Sequence, residues 1–256
     1  MKVGQVAAQL YTVRDFLKTP ADIAESLRKV KQIGYPAVQL SGLGPMPEAE
    51  LGKLVADTGL VCCATHEDGA QILSDPTAVV AKLKALGCTQ TAYPYPSGVK
   101  MDTLADVKAF AKGLNASGKV LHEAGMKLSY HNHSIEFRRL EGALMMDVIY
   151  GETDPRYLQG EIDTYWVQHG GGDSEDWCRK LKGRLPLLHM KDYGVNAESQ
   201  PIFYEIGYGN LTWKPIVAAA DASGCEWYIV EQDRCAGDPF DSLRMSFEFL
   251  KTQCAK

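Results

Sequence analysis

Eight times along this chain a short apolar run gives way to an amphipathic stretch, and that alternation limits its fold more tightly than any other property. The apolar runs fall at residues 3–10, 37–40, 60–65, 90–93, 127–131, 158–162, 185–190 and 226–230, a length suited to buried strands. Helical spacing lies between them. After Thr19-Pro20 it is carried by Ile23, Leu27, Val30 and Ile33, and further helices are predicted over 47–58, 76–86, 103–124, 144–150, 174–181, 212–222 and 239–250. Gly34, Gly59, Gly87 and Gly125 stand where four of these helices should stop. Residues 191–210 read as a long polar loop. Eight strand–helix units without a linker predict one closed (β/α)8 barrel, a single domain over 1–256. An open doubly wound sheet shares this grammar, but no glycine-rich phosphate turn follows the first strand.

A chain of 256 residues, 45% of them hydrophobic, can bury a core of that size. The net charge of −5 argues against a general nucleic-acid binder, which needs a basic surface. The seven cysteines form no CxxC pair of zinc-site spacing, and several sit in apolar runs, so reduced buried thiols in a cytoplasmic protein are expected. No stretch has membrane-spanning length. A small molecule is therefore the expected partner, with association into a homo-oligomer left open.

In a (β/α)8 barrel the chemistry collects at the C-terminal ends of the strands. Those ends here carry Gln9, Tyr11 and Arg14; Gln39; His66 and Glu67; Tyr93; His131, His133 and Glu136; Asp163; His189, Lys191 and Asp192; Glu231 and Asp233. Among them Glu136, Asp163, His189 and Glu231 offer one imidazole and three carboxylates from the last four strands. That donor set suits Mn²⁺, Mg²⁺, Co²⁺ or Fe²⁺ better than a structural Zn²⁺ site. Tyr93, Tyr95, Trp166, Tyr208 and Trp213 are candidates for aromatic walls of a substrate cleft.

The segments Tyr130-His131-Asn132-His133-Ser134-Ile135-Glu136-Phe137, Glu161-Ile162-Asp163-Thr164, Leu188-His189-Met190-Lys191-Asp192 and Val230-Glu231-Gln232-Asp233 resemble the xylose isomerase-like TIM-barrel superfamily of sugar phosphate isomerases and epimerases. The opening from Gln9 to Asp15, with Tyr11, and the Gly207-Tyr208-Gly209 turn are similar to that group too. The resemblance implies that Glu136, Asp163, His189 and Glu231 bind one divalent ion, Mn²⁺ first among the candidates. Many relatives have a glutamate on the fifth strand where this chain has His131, so His131 and His133 compete with Glu136 for that place. Ketose epimerases commonly carry a histidine where this chain has Trp166.

The expected chemistry is removal of a proton beside a carbonyl, with the enediolate stabilised by the metal. Glu231 or His133 is the expected base and Glu136 mainly a ligand. Lys191 would face the developing negative charge, and His66, Tyr93, Trp166 and Tyr11 would contact the substrate. Returning the proton gives a sugar isomerase or epimerase; expelling a β-substituent gives a lyase or dehydratase on keto-sugars, keto-glycosides or inososes. The apurinic-endonuclease branch of the superfamily needs extra histidines and a basic face, against six histidines and an acidic balance here.

Overall fold

The computed structural model describes residues 1–255. Eight parallel strands close a barrel: β1 (Val6–Gln9), β2 (Ala37–Leu40), β3 (Val61–His66), β4 (Gln90–Tyr93), β5 (Lys127–His131), β6 (Leu158–Asp163), β7 (Leu187–Met190) and β8 (Trp227–Val230). Neighbours in space follow chain order, and closure comes from β1 pairing with β8, with Val6 opposite Tyr228 and Ala8 opposite Val230. The predicted (β/α)8 barrel is the fold.

Alternation along the strands divides the core in two. Val6, Val38, Leu128, Tyr130, Leu188 and Tyr228 point outward into the large apolar layer beneath the helices. Ala7, Ala37, Leu187 and Ile229 point inward and make a small apolar floor inside the barrel. The next inward positions, two residues on, are Gln9, Gln39, His189 and Glu231, all buried. The strand period thus lifts a polar layer onto an apolar floor, on the face that carries the loops.

The helices form for local reasons. Thr19 caps α1 (Pro20–Ile33), and Thr103 caps α5 (Leu104–Glu123), each through a reciprocal box with an aspartate three residues on. Asp75 caps α4 (Pro76–Leu86), and Gly87 ends it in the left-handed conformation. The helices α2 (Glu48–Asp57), α9 (Trp213–Ser223) and α10 (Pro239–Phe249) lie at the expected places.

Some segments differ from the sequence-based expectation. The first strand is shorter, because turns of 3-10 helix at Val3–Gln5 and Leu10–Phe16 flank it. A separate short helix α3 (Gly69–Ser74), capped by Asp68, precedes α4. Past β5, a small hairpin pairs Arg139–Leu140 with Ala143–Leu144 and leads into α6 (Met145–Gly151). Past β6, α7 (Thr164–His169) comes before α8 (Ser174–Lys180), so Trp166 and His169 are helical. The 191–210 segment is not plain loop: Asp192–Val195 pairs antiparallel with Pro201–Tyr204. Among the described residues, all seven cysteines are free thiols and no helix is long and apolar enough to cross a membrane.

Candidate active site

Inside the barrel the buried polar groups form one connected network. Gln9 Nε2 donates to Gln39 Oε1 at 2.8 Å, and Gln39 Nε2 donates to Glu161 Oε1 at 2.6 Å. His66 Nε2 lies 2.6 Å from Glu161 Oε2, and His189 Nε2 shares Gln39 Oε1. The rings of His66 and His189 stack with centroids 5.2 Å apart, and the His131 ring stands edge-on to His189 at 4.5 Å.

Above this network, ligand atoms of His131, Asp163, His189 and Glu231 all lie within 4.8 Å of one another, and all four residues are buried. His131 Nε2 is 3.7 Å and His189 Nδ1 4.0 Å from Asp163 Oδ2, while His189 Nδ1 is 2.9 Å from Glu231 Oε2. Asp163 is fixed at both ends. Its Oδ1 caps α7 by accepting from the Trp166 amide at 3.0 Å, and its own amide donates to Asn132 Oδ1 at 2.9 Å. Oδ2 is left buried and without a hydrogen-bond donor, although Lys191 Nζ is 3.0 Å away. An orphaned carboxylate oxygen facing two imidazoles and a second carboxylate fits a divalent ion of the borderline class. A second group, His66, His131, Glu161 and His189, meets the same distance limit deeper in the barrel.

The charge states follow from burial. Burial, together with the His189 charge, pushes His131 down to about 3, so it is a neutral donor at ordinary pH. Burial also opposes charge on His189, but Glu161 and Glu231 outweigh it and raise His189 to about 10. Burial lifts Asp163 to about 6 against the pull of Lys191 and His189. Glu231 pays the same burial cost, yet Lys191 and His189 hold it well below the usual carboxylate range.

A cleft of about 690 Å³ opens onto this group. Tyr11, His66, His131, His133, Trp166, Lys191 and Glu231 line it, so most of the residues expected at the site converge there. Two do not. Glu136 is fully buried in a 3-10 turn, its Oε1 accepting from the Tyr130 hydroxyl at 2.7 Å and its Oε2 from the His133 amide at 2.8 Å. It ties down the turn after β5, and His131, not Glu136, stands in the group of four that could hold a metal ion. Tyr93 is the second. Alternation sends its ring outward, 5.2 Å from Phe110 and 5.9 Å from Tyr130, while Tyr95 reaches the cleft instead.

Other cleft residues were not singled out from the sequence. Tyr165 and Phe203 stack at 4.0 Å and form one wall, Phe203 being delivered by the 192–204 hairpin. Glu161 was the main omission. Its signal was its position two residues before Asp163 on the same strand, which gives both side chains the same inward face. Tyr208 is 58% exposed, and Trp213 is buried with its indole donating to Asp192, so neither lines this cleft.

Residues 27–253 match the family model described as xylose isomerase-like TIM barrel. The chain belongs to this family. Among curated proteins, it is 26% identical to an inosose dehydratase of Geobacillus thermodenitrificans over 56% of this chain and 53% of that protein. It is 23% identical to an inosose dehydratase of Mesomycoplasma hyopneumoniae over 98% of this chain and 96% of that one. The chain spans about half the length of the first curated relatives it matches. A sugar phosphate isomerase/epimerase from Parabacteroides distasonis superposes with a TM-score of 0.84 at 21% identity, covering 98% of this chain and 95% of that one. At that identity the likeness shows a shared fold.

Proposed function

We propose that this member of the family is a divalent-metal-dependent enzyme that removes a proton from the carbon beside a carbonyl of a sugar or cyclic polyol. The observation that carries the reading is the buried His131, Asp163, His189 and Glu231 group at the base of an open, aromatic-walled cleft. Those four residues would hold the ion. Bound there, it would supply Lewis acidity toward a carbonyl and its neighbouring hydroxyl and stabilise an enediolate.

The remaining work belongs to the side chains that face the cleft. Glu231 is the proposed proton acceptor: its carboxylate is held ionised at the rim of β8. His133 reaches the same cleft from the end of β5, three strands away around the barrel, and is kept neutral by burial and by the charges around it. Placed across from Glu231, it can donate or accept a proton on another side of the substrate. Lys191 presents its ammonium beside Glu231 and would face developing negative charge on oxygen. Trp166, Tyr165, Phe203 and Tyr95 supply flat apolar walls suited to the C–H faces of a sugar ring.

Returning the proton would make the enzyme an isomerase or epimerase. A second reading is a dehydratase, in which a β-hydroxyl leaves; the inosose dehydratases among the relatives favour it. The two are separated by incubating candidate keto-sugars and inososes with the Mn²⁺-loaded protein in deuterated water. Deuterium at the α-carbon of an isomeric product supports isomerisation, and loss of water supports elimination. No exchange and no product across both substrate sets would sink the reading.

A further inference from the structure

Glu161 is a fully buried carboxylate inside the barrel, and the reaction proposed above gives it no task. It sits one inward position below Asp163 on β6, fully buried, with both oxygens engaged: Oε1 by Gln39 Nε2 at 2.6 Å and Oε2 by His66 Nε2 at 2.6 Å. The two histidines of the metal-binding group turn opposite ring atoms toward it. His131 offers Nδ1, 3.2 Å from Glu161 Oε2, and His189 offers Nε2, 3.4 Å from Glu161 Oε1. The other ring atom of each, His131 Nε2 and His189 Nδ1, faces Asp163 Oδ2.

Resting on the metal-centre reading, we propose that Glu161 is a shared positioning residue that fixes the tautomers of both histidine ligands in opposite senses. His131 would carry its proton on Nδ1 and bind metal through Nε2; His189 would carry its proton on Nε2 and bind through Nδ1.

The reason is the usual requirement of a histidine ligand, whose second ring nitrogen needs an acceptor to set tautomer and ring orientation. His131 Nδ1 is buried and makes no well-aligned hydrogen bond, and the Glu161 carboxylate is an acceptor within 3.2 Å of it. For His189 the link is a relay: its Nε2 donates to Gln39 Oε1, and Gln39 is held in that orientation because its own amide donates to Glu161. The engaged oxygens also argue against Glu161 as a ligand in its own right. An ion in the deeper group would need the ring atoms of the two shared histidines that face Glu161, opposite to those that face Asp163.

The test begins with wild-type protein labelled with ¹⁵N-histidine and loaded with Zn²⁺, a diamagnetic probe. Long-range ¹H–¹⁵N spectra report the tautomer of each ring. The proposal expects Nδ1–H on His131 and Nε2–H on His189; the same tautomer on both, or the reverse pair, overturns it. Then Mn²⁺ and Co²⁺ binding is measured in wild type, Glu161→Gln and Asp163→Asn. Glu161→Gln should keep one ion per chain with affinity weakened about 10- to 100-fold and an altered Co²⁺ absorption spectrum. An unchanged affinity and spectrum would make Glu161 a packing residue and overturn the proposal. Loss of the ion in Glu161→Gln with retention in Asp163→Asn would make Glu161 a ligand, overturning it as well. A wild-type protein that binds neither ion fails the metal reading itself, and is told apart by that.

Discussion

Lys191 and Glu231 form a buried ion pair, Nζ to Oε2 at 2.7 Å, and the same ammonium lies 3.0 Å from Asp163 and 3.2 Å from Asp233. The barrel mouth therefore places three carboxylates around one internal cation, at the edge of the group proposed to take a second. Without a divalent ion, Lys191 together with the charged His189 keeps Asp163, Glu231 and Asp233 together.

Lys191→Met should consequently destabilise the metal-free protein by about 3 kcal/mol or more, the cost of stranding buried charge. Added Mn²⁺ should recover most of that loss, because the ion supplies the missing positive charge. Thermal unfolding with chelator and with Mn²⁺ makes the comparison. An equal fall in Tm under both conditions would show that Lys191 acts only as packing.

His131 should show no imidazole titration between pH 5 and 8 in the metal-free protein, since burial and the neighbouring His189 push it to about 3. The sign for stability follows. The folded value lies below the unfolded 6.5, so the unfolded chain takes up the proton first. This residue's cost to folding therefore grows as pH falls from about 6.5 toward about 3, and is absent above that window. Histidine C–H chemical shifts against pH check it; a midpoint near 6.5 would contradict the burial argument.

His133→Gln should retain the metal and lose turnover by about 10²- to 10⁴-fold, the range for removing a general acid or base. His133 packs against Tyr95 and Trp166 at the cleft wall, with ring centroids 4.9 and 5.2 Å away, and is outside the four-residue group. Metal analysis together with kcat decides the point: unchanged turnover removes His133 from the proton-transfer role.

Asp192 anchors the segment that carries Phe203 into the cleft. Its Oδ2 accepts from Gly207 N at 2.8 Å and the Trp213 indole at 2.7 Å, and its Oδ1 from Leu211 N at 3.1 Å. Gly207 is required at this turn, with φ at +90° and an added Cβ placed 2.2 Å from the Phe249 ring. Asp192→Ala strands the buried Trp213 indole and several backbone donors of the turn and should cost at least about 2 kcal/mol, measured by denaturant unfolding. A change within about 0.5 kcal/mol, the size of an ordinary surface substitution, would contradict the anchoring role.

The barrel was legible because its strands are short apolar runs at regular intervals, and several helices carry their own stop or cap, as Gly87 and Thr103 provide. Asp163, His189 and Glu231 were legible as candidates because they stand at the ends of consecutive strands, and the fold brings them together. What escaped depended on direction and on local turns. Tyr93 and Tyr95 look equivalent along the chain, yet strand alternation turns Tyr93 away and the loop presents Tyr95. Glu136 looks like a ligand until its two oxygens are found holding the Tyr130 hydroxyl and the His133 amide. Glu161 sits mid-strand, where a carboxylate reads as a curiosity until parity with Asp163 points it inward. The 192–204 hairpin was hidden because its two strands are only four residues long and flank a polar turn, too short for an alternating pattern to stand out.

The central claim is the His131, Asp163, His189 and Glu231 metal centre, and elemental analysis of the purified protein tests it most directly. Wild type equilibrated with Mn²⁺ or Co²⁺ and freed of excess ion should retain about one divalent ion per chain, and Asp163→Asn, correctly folded by circular dichroism, should retain none. Wild-type protein that stays metal-free with both ions, or an Asp163→Asn variant that binds as well as wild type, would contradict the account.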